Sequence, residues 1–285
     1  MKTPILIECS RDAMQGIKSW IPTETKIKYI QSLLSVGFDV LDVGSFVSPK
    51  AIPQMKDTPI VLKNIDFTQS KSELLVIVAN LRGALEAAKY NTISYIGFPL
   101  SVSENFQMRN THKTQEEALL LLDQLIEVCK NSGKKLVVYL SMGFGNPYGD
   151  PWSVEIVTNW IDLLAQKGIQ IISLSDTVGS AKLNDISQIF KATINQYSEI
   201  EIGAHFHTKP EKAFKKIKAA HEAGCNRFDG AIKGFGGCPM AVDNLTGNMP
   251  SEKLISYFNQ QKISLNIDPI MFEYAYNQSL NVFNR

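Results

Sequence analysis

Short apolar runs recur along the chain, each closed by small or polar residues, and most alternate with segments whose apolar residues repeat at helical spacing. The runs fall at 4–10, 38–45, 74–80, 93–100, 136–144, 169–176, 200–207 and 227–232, and each predicts a strand. Between them, Thr23 predicts the start of a helix whose Ile27, Ile30 and Leu34 share one face and whose stop is Gly37. Thr114 and Glu117 form a capping-box pattern ahead of Ala118, Leu121, Leu122, Leu125 and Cys129, the spacing of one buried stripe. Asp150-Pro151 predicts another helix start, closed by Gly168. Ile186, Ile189, Phe190 and Ile194 mark the next stripe, and Pro210 and Gly224 bracket the one after it. Residues 251–285 read as two further helices, with Pro269 near the start of the second.

Eight strand–helix units in series, with no Gly/Ser-rich linker and no break in composition, predict an α/β fold. The expected architecture is one catalytic domain over 1–285, a (β/α)8 TIM barrel over about 4–240 with extra C-terminal helices over about 251–285. A doubly wound open sheet is the alternative, and the missing G-x-G-x-x-G after the first run counts against it.

Composition narrows the partners. With 44% hydrophobic residues, 20% charged residues and a formal net charge of +1, the chain offers no strong field for nucleic acid or an anionic membrane. No apolar run reaches membrane-spanning length. Met1-Lys2-Thr3-Pro4 runs straight into Ile5-Leu6-Ile7-Glu8-Cys9, too short and too soon acidic for a secretory signal. Cys9, Cys129, Cys225 and Cys238 include no C-x-x-C pair, so neither a zinc knuckle nor a disulfide framework is indicated, and a reducing cytoplasm is expected.

In such a barrel the chemistry lies where strands end and loops begin. Polar residues gather at those ends: Glu8, Arg11 and Asp12, then Asp42 and Ser45, Asn80, Ser141 and Asn146, Asp176 and Thr177, and a Gly-rich loop at 234–238. The seventh run closes on Gly203-Ala204-His205-Phe206-His207, where strand alternation puts His205 and His207 on one face. Two imidazoles and a carboxylate leave open positions on a divalent ion, where a chelating substrate can be polarised. Asp12 is the best carboxylate candidate, and Arg11 places a fixed positive charge beside it.

Each feature has a plainer reading: hydrogen-bonded strand histidines, a surface Arg–Asp pair, a capping Asp176, a turn at Asn248, a small buried Cys238. Cys9, Cys129 and Cys225 are expected to be packing residues. His112 and His221 fall on presumed loop and helix surface without partners.

Ser-Arg-Asp-Ala-Met-Gln at 10–15, Gly-Ser-Phe-Val-Ser-Pro-Lys at 44–50, Pro-Gln-Met at 53–55 and Ser-Asp-Thr-Val-Gly at 175–179 stand in this order. They are followed by the His-Phe-His stretch, Gly-Phe-Gly-Gly-Cys-Pro at 234–239 and Gly-Asn at 247–248. Together they resemble 3-hydroxy-3-methylglutaryl-CoA lyase, in the metal-dependent barrel superfamily that also holds the isopropylmalate and homocitrate synthases. The resemblance runs from about residue 5 to about residue 255. It implies Asp12, His205, His207 and Asn248 as ligands of Mg²⁺ or Mn²⁺, with an acyl-CoA thioester as substrate. It implies Arg11 against the thioester carbonyl, Asp42 and Asp176 near the substrate hydroxyl, a carboxylate or His205 as proton acceptor, and Cys238 as an acid on a mobile loop.

The chain departs from the family at a few positions. Asp42 stands where Glu is usual, Ser10 replaces Pro, and Ala13-Met14 replaces Gly-Leu. One extra residue separates Cys238 from Asn248. The alternatives are a related lyase or aldolase acting on another 3-hydroxyacyl-CoA or hydroxy acid, and a non-catalytic barrel that binds a metal or an acyl-CoA. Retention of Arg11, Asp12, His205 and His207 together argues against the second. The C-terminal helices offer a surface for a second subunit, so a homodimer is the assembly to test.

Overall fold

The computed structural model describes residues 3–237 and 246–283. Eight strands, β1 (Ile5–Glu8), β2 (Val40–Ser45), β3 (Glu73–Ile77), β4 (Ile93–Ser101), β5 (Lys135–Ser141), β6 (Ile171–Asp176), β7 (Glu201–Phe206) and β8 (Arg227–Gly230), pair in parallel in chain order. β8 returns to β1, with Ile5 opposite Arg227 and Glu8 opposite Gly230, so the barrel is closed as the alternation predicts. The helices are α1 (Ser10–Gln15), α2 (Thr23–Leu34), α3 (Thr58–Asn64), α4 (Leu81–Ala88), α5 (Glu104–Thr111) and α6 (Gln115–Ser132), then α7 (Val154–Gln166), α8 (Leu183–Gln196), α9 (Ala213–Glu222), α10 (Ser251–Gln260) and α11 (Pro269–Phe283).

The two-residue strand period divides the core into two regions. Ile7, Val40, Leu75, Tyr95, Val137 and Ile171 turn inward and fill the barrel, while Leu6, Leu41, Leu74, Ile96, Val138 and Ile172 turn outward beneath the helices. The interior is tight enough to demand Gly97, where a Cβ would meet Ile77 Cδ1 at 2.5 Å and Tyr139 Cε2 at 2.9 Å. Arg227 plugs the opposite end, donating to Glu201 at 2.6 Å. Both expected C-terminal helices form. Phe272 of α11 meets Phe38 and Phe283 meets Tyr29 of α2, while Phe258 of α10 packs on Phe228 of β8.

The capping box at Thr114 and Glu117 is present with both hydrogen bonds. Other starts differ. Arg11 and Asp12, expected in a loop, lie on α1, because the Ala13 N–H reaches the Cys9 carbonyl at 3.0 Å as soon as β1 ends. Thr23 opens α2 without capping it, since its hydroxyl donates to Asp57 at 2.8 Å. The helix expected from Asp150 begins at Val154, capped by Ser153, while Asp150 accepts from Ser103 and Asn105 across the barrel rim. α3 and α5, of 7 and 8 residues, are too short for a helical period to stand out. No helix among the described residues is long and apolar enough to cross a membrane.

Candidate active site

The carboxyl ends of the strands open into a cavity of about 380 Å³. Arg11, Asp12 and Gln15 enter it from α1, Tyr139 and Ser141 from β5, Ser175 and Thr177 from the end of β6, and His205 and His207 from β7 and just beyond. Ile52, Ile77, Pro99 and Phe106 supply an apolar wall.

His205 and His207 share the inward face, with ring centroids 5.3 Å apart. His205 is opposite Asp229 in the β7–β8 register, and its Nδ1 lies 2.9 Å from Asp229 Oδ2. Burial opposes the charge on His205, but the hydrogen bond and charge of Asp229 outweigh it and raise the pKa. His207 Nδ1 lies 2.9 Å from the Thr246 carbonyl. A carbonyl only accepts, so Nδ1 holds the proton and Nε2 keeps its lone pair. Burial, with His205 beside it, pushes His207 down to about 4 and keeps it neutral.

Asp12 accepts from Arg11 Nη1 at 2.9 Å, Gln15 Nε2 at 2.6 Å and Asn248 Nδ2 at 2.7 Å. Burial alone would raise its pKa, but Arg11, the two histidines and Asn248 together hold it below the ordinary carboxylate range. The ligand atoms of Asp12, His205 and His207 all lie within 4.8 Å of one another. Two imidazoles oriented by oxygen acceptors and one ionised carboxylate form a donor set that fits a divalent cation. Asn248 joins the cluster through its amide nitrogen, which also donates to the Phe235 carbonyl at 2.9 Å.

Arg11 is gripped from behind. Its Nε donates to Asp42 Oδ1 and Oδ2 at 3.2 and 3.0 Å and its Nη2 to Oδ2 at 2.5 Å, a fork that fixes the guanidinium plane. Burial pushes Asp42 up to about 6 against the pull of Arg11, so the carboxylate is ionised at neutral pH. Asp42 is buried behind Arg11 and does not line the cavity.

Asp176, expected near the substrate hydroxyl, is not brought into the cavity. Ser175 takes the inward face of β6, so Asp176 points outward, where Lys216 Nζ donates at 2.5 Å and the Ala181 N–H at 3.1 Å. Cys238 lies outside the described residues. Gly236, shortly before it, rests on the cluster: a Cβ there would meet Asn248 Nδ2 at 2.7 Å and the Asp12 carbonyl oxygen at 2.8 Å.

The chain belongs to the HMGL-like family, whose model matches residues 5–274. It is 32% identical over 257 residues to a hydroxymethylglutaryl-CoA lyase of Bacillus subtilis, covering 90% of this chain and 85% of that one. It is 30% identical over 261 residues to the 3-hydroxy-3-isohexenylglutaryl-CoA/hydroxymethylglutaryl-CoA lyase of Pseudomonas aeruginosa, with the same 90% and 85% coverage. Among solved structures, the B. subtilis HMG-CoA lyase superposes with a TM-score of 0.92 at 29% identity, covering 100% of this chain and 95% of that one. An HMG-CoA lyase from Acinetobacter baumannii, in complex with coenzyme A and 3-methylmalate, superposes with a TM-score of 0.91 at 27% identity, covering 99% and 92%.

Within this HMGL-like barrel, several site residues carried no sequence signal. Asp229 is one, since its partnership with His205 exists only through the β7–β8 register. Tyr139 is another; it lines the cavity together with Ser45, which the sequence did mark at a strand end, and the hydroxyls of both are buried without a hydrogen-bond partner among the described residues. Such groups are costly unless a ligand engages them. His112 is exposed, as expected, and also borders the cavity from a left-handed turn (φ 55°) at the end of α5. His221, expected without a partner, has Nδ1 3.2 Å from the Tyr257 hydroxyl. Cys129 and Cys225 are buried packing residues. Cys9 is buried too, but inside the barrel, where its thiol lies within 4.8 Å of His205 and Asp229 ligand atoms.

Proposed function

We propose that this protein is a carbon–carbon lyase that cleaves 3-hydroxy-3-methylglutaryl-CoA to acetyl-CoA and acetoacetate, with residues 1–285 forming one catalytic unit that acts in the cytoplasm. The observation that carries this reading is the convergence of a braced, cavity-facing Arg11 with the Asp12, His205 and His207 cluster at one end of the barrel. Asp12, His207 and Asn248 would hold Mg²⁺ or Mn²⁺, with His205 beside them keeping its Nε2 for the substrate. Bound there, the ion would lower the pKa of the substrate hydroxyl and polarise it.

Cleavage requires that the 3-hydroxyl lose its proton. The O–H electron pair becomes the new carbonyl of acetoacetate, the C2–C3 bond breaks, and its electrons pass to an acetyl-CoA enolate. The chain must supply a cavity-facing base, and Asp42 and Asp176 do not face the cavity. His205 does, and Asp229 behind it orients the ring and favours the proton-bearing state. We assign the hydroxyl proton to His205.

Arg11 stabilises the negative charge that develops on the thioester oxygen. Asp42 does not touch substrate in this reading. One methylene shorter than the usual Glu, it ends at the guanidinium and holds it aimed at the cavity. Cys238 is proposed as the acid that returns a proton to the enolate carbon, a role that rests on the family motif alone.

The test is direct. Purified protein with Mg²⁺ or Mn²⁺ should release acetyl-CoA and acetoacetate from 3-hydroxy-3-methylglutaryl-CoA. Turnover of a different hydroxyacyl-CoA only, or metal binding with no turnover of any of them, would overturn the assignment.

A further inference from the structure

One ammonium group from outside the barrel reaches the back of the Asp12, His205 and His207 cluster. Lys216 lies on α9, yet it is buried, and its Nζ ends between the loops that follow β6 and β7. It donates to Asp176 Oδ2 at 2.5 Å, to the Gly179 carbonyl at 3.1 Å and to the His207 carbonyl at 3.2 Å. An ammonium has three protons, and each is committed. A buried ion pair is seldom more stabilising than apolar side chains of the same volume. What this one holds in place is therefore the better clue to its use.

Two of the three acceptors are backbone groups beside the cluster. His207 is fastened through both of its backbone groups: its N–H donates to the Asp176 carbonyl at 3.2 Å, and its own carbonyl accepts from Lys216. The Gly179 turn (φ 74°), held by the same ammonium, is the seat of Thr246. A Cβ at Gly179 would meet Thr246 Cγ2 at 2.7 Å and the His207 carbonyl oxygen at 3.2 Å, and Thr246 Oγ1 donates to the Val178 carbonyl at 3.4 Å. Thr246 in turn offers the carbonyl that takes the His207 Nδ1 proton, and Asn248, just beyond it, pairs with His207 across an antiparallel bridge. The backbone and the ring of His207 thus both depend on where Lys216 holds the 176–179 turn.

We propose that Lys216 is a positioning residue for the metal site. From α9 it fixes the His207 backbone directly, and through the Gly179 turn and Thr246 it fixes the tautomer and aim of the imidazole. Asp176 serves as the anion that keeps the ammonium there. This inference rests on the reading of Asp12, His207 and Asn248 as ligands of a divalent ion. Orientation of a ligating histidine by the groups behind it is worth as much to a metal site as the ligand's presence.

The experiment separates positioning from simple loss of stability. Lys216→Met leaves Asp176 as an uncompensated buried charge, so the double variant Lys216→Met/Asp176→Asn is made beside it. The amide removes that charge and keeps an oxygen for the Ala181 N–H. Thermal unfolding and Mn²⁺ affinity, the latter from the free-ion signal in electron paramagnetic resonance, are measured on the full chain for wild type, both variants and His207→Ala. The double variant should unfold at a higher temperature than Lys216→Met, yet bind Mn²⁺ at least about tenfold more weakly than wild type, the lower end of the loss on removing an outer-shell partner. If Lys216 served stability alone, Mn²⁺ affinity would return as Tm returns. A second readout needs no metal. In nitrogen-15 spectra of the histidine rings, His207 of wild type should carry its proton on Nδ1, and the double variant should show a mixture of the two tautomers. An unchanged His207 ring in the double variant would overturn the positioning role. So would Mn²⁺ affinity within about twofold of wild type, in a protein whose Mn²⁺ binding His207→Ala abolishes. A ring that changes with Lys216, while His207→Ala binds no less Mn²⁺ than wild type, would uphold Lys216 as the residue that sets His207 and would sink the metal assignment instead.

Discussion

Asp42→Asn isolates the brace behind Arg11. The side chain keeps its volume but loses its charge, and one of its two acceptor oxygens becomes a donor that faces the guanidinium. Three hydrogen bonds at 3.2, 3.0 and 2.5 Å now join the pair, and both side chains are buried. Removing one partner of a buried ion pair costs about 3–5 kcal/mol, because the remaining charge is left without compensation. Arg11 keeps Asp12 at 2.9 Å, so the lower end applies, and about 3 kcal/mol in a chain of this size lowers Tm by roughly 6–12 °C. The guanidinium is then free to turn from the thioester oxygen. If the same energy is lost from transition-state stabilisation, kcat falls about a hundredfold at 1.4 kcal/mol per decade. The assays are thermal unfolding with and without Mg²⁺, and steady-state cleavage of the HMG thioester. Asp42→Glu, which retains the carboxylate, should recover most of the activity. A variant Asp42→Asn with Tm within about 2 °C of wild type and kcat within about twofold would refute the bracing role.

Three further outcomes follow from the same geometry. Glu8, fully buried outside the barrel and bonded to Ser251 Oγ at 2.5 Å and the Ile232 N–H at 2.9 Å, is pushed up to about 8 by burial. The folded state therefore holds a proton that the unfolded state has lost, and this contribution to stability is complete below pH 4.5 and disappears as pH rises through 8. Glu8→Gln should flatten Tm against pH across that window, and a slope identical to wild type would show that Glu8 is already ionised. Lys216→Met strands Asp176 in the core and should cost about 3–5 kcal/mol of stability in denaturant unfolding. Retained stability would mean that the Lys216 pair is not what holds Asp176 in the core. His207→Ala should abolish both metal binding, read by metal content after gel filtration, and turnover, while the circular dichroism spectrum stays that of the barrel. Substantial remaining activity would place the metal elsewhere.

The barrel was legible because its cause is local and repeated. Apolar runs of period two, helical stripes and caps such as Thr114 with Glu117 are written within a few residues of one another, and eight repetitions in series leave few ways to pack. His205 and His207 were legible for the same reason, since strand alternation alone sets them on one face. Arg11 and Asp12 were legible as charged residues just past the first strand, and the family motif gave them roles, although only the tertiary structure shows that they ride on α1.

Whether a polar residue at a strand end serves the cavity or the fold depends on which face it takes and on what lies opposite, and both are tertiary facts. Ser175 and Asp176 are neighbours with opposite fates: one lines the cavity, the other is locked by Lys216 from α9. Glu8 looks like an active-site acid by position, yet it turns outward to Ser251, 243 residues away. Asp229 carries no motif, and it reaches His205 only because β7 and β8 pair in one register. The sequence by itself determined the alternation, the barrel class and the two strand histidines, because those follow from spacing along one segment. The closure of the barrel decided the rest: which carboxylates are buried, which cations they face, and therefore which carry charge into the cavity.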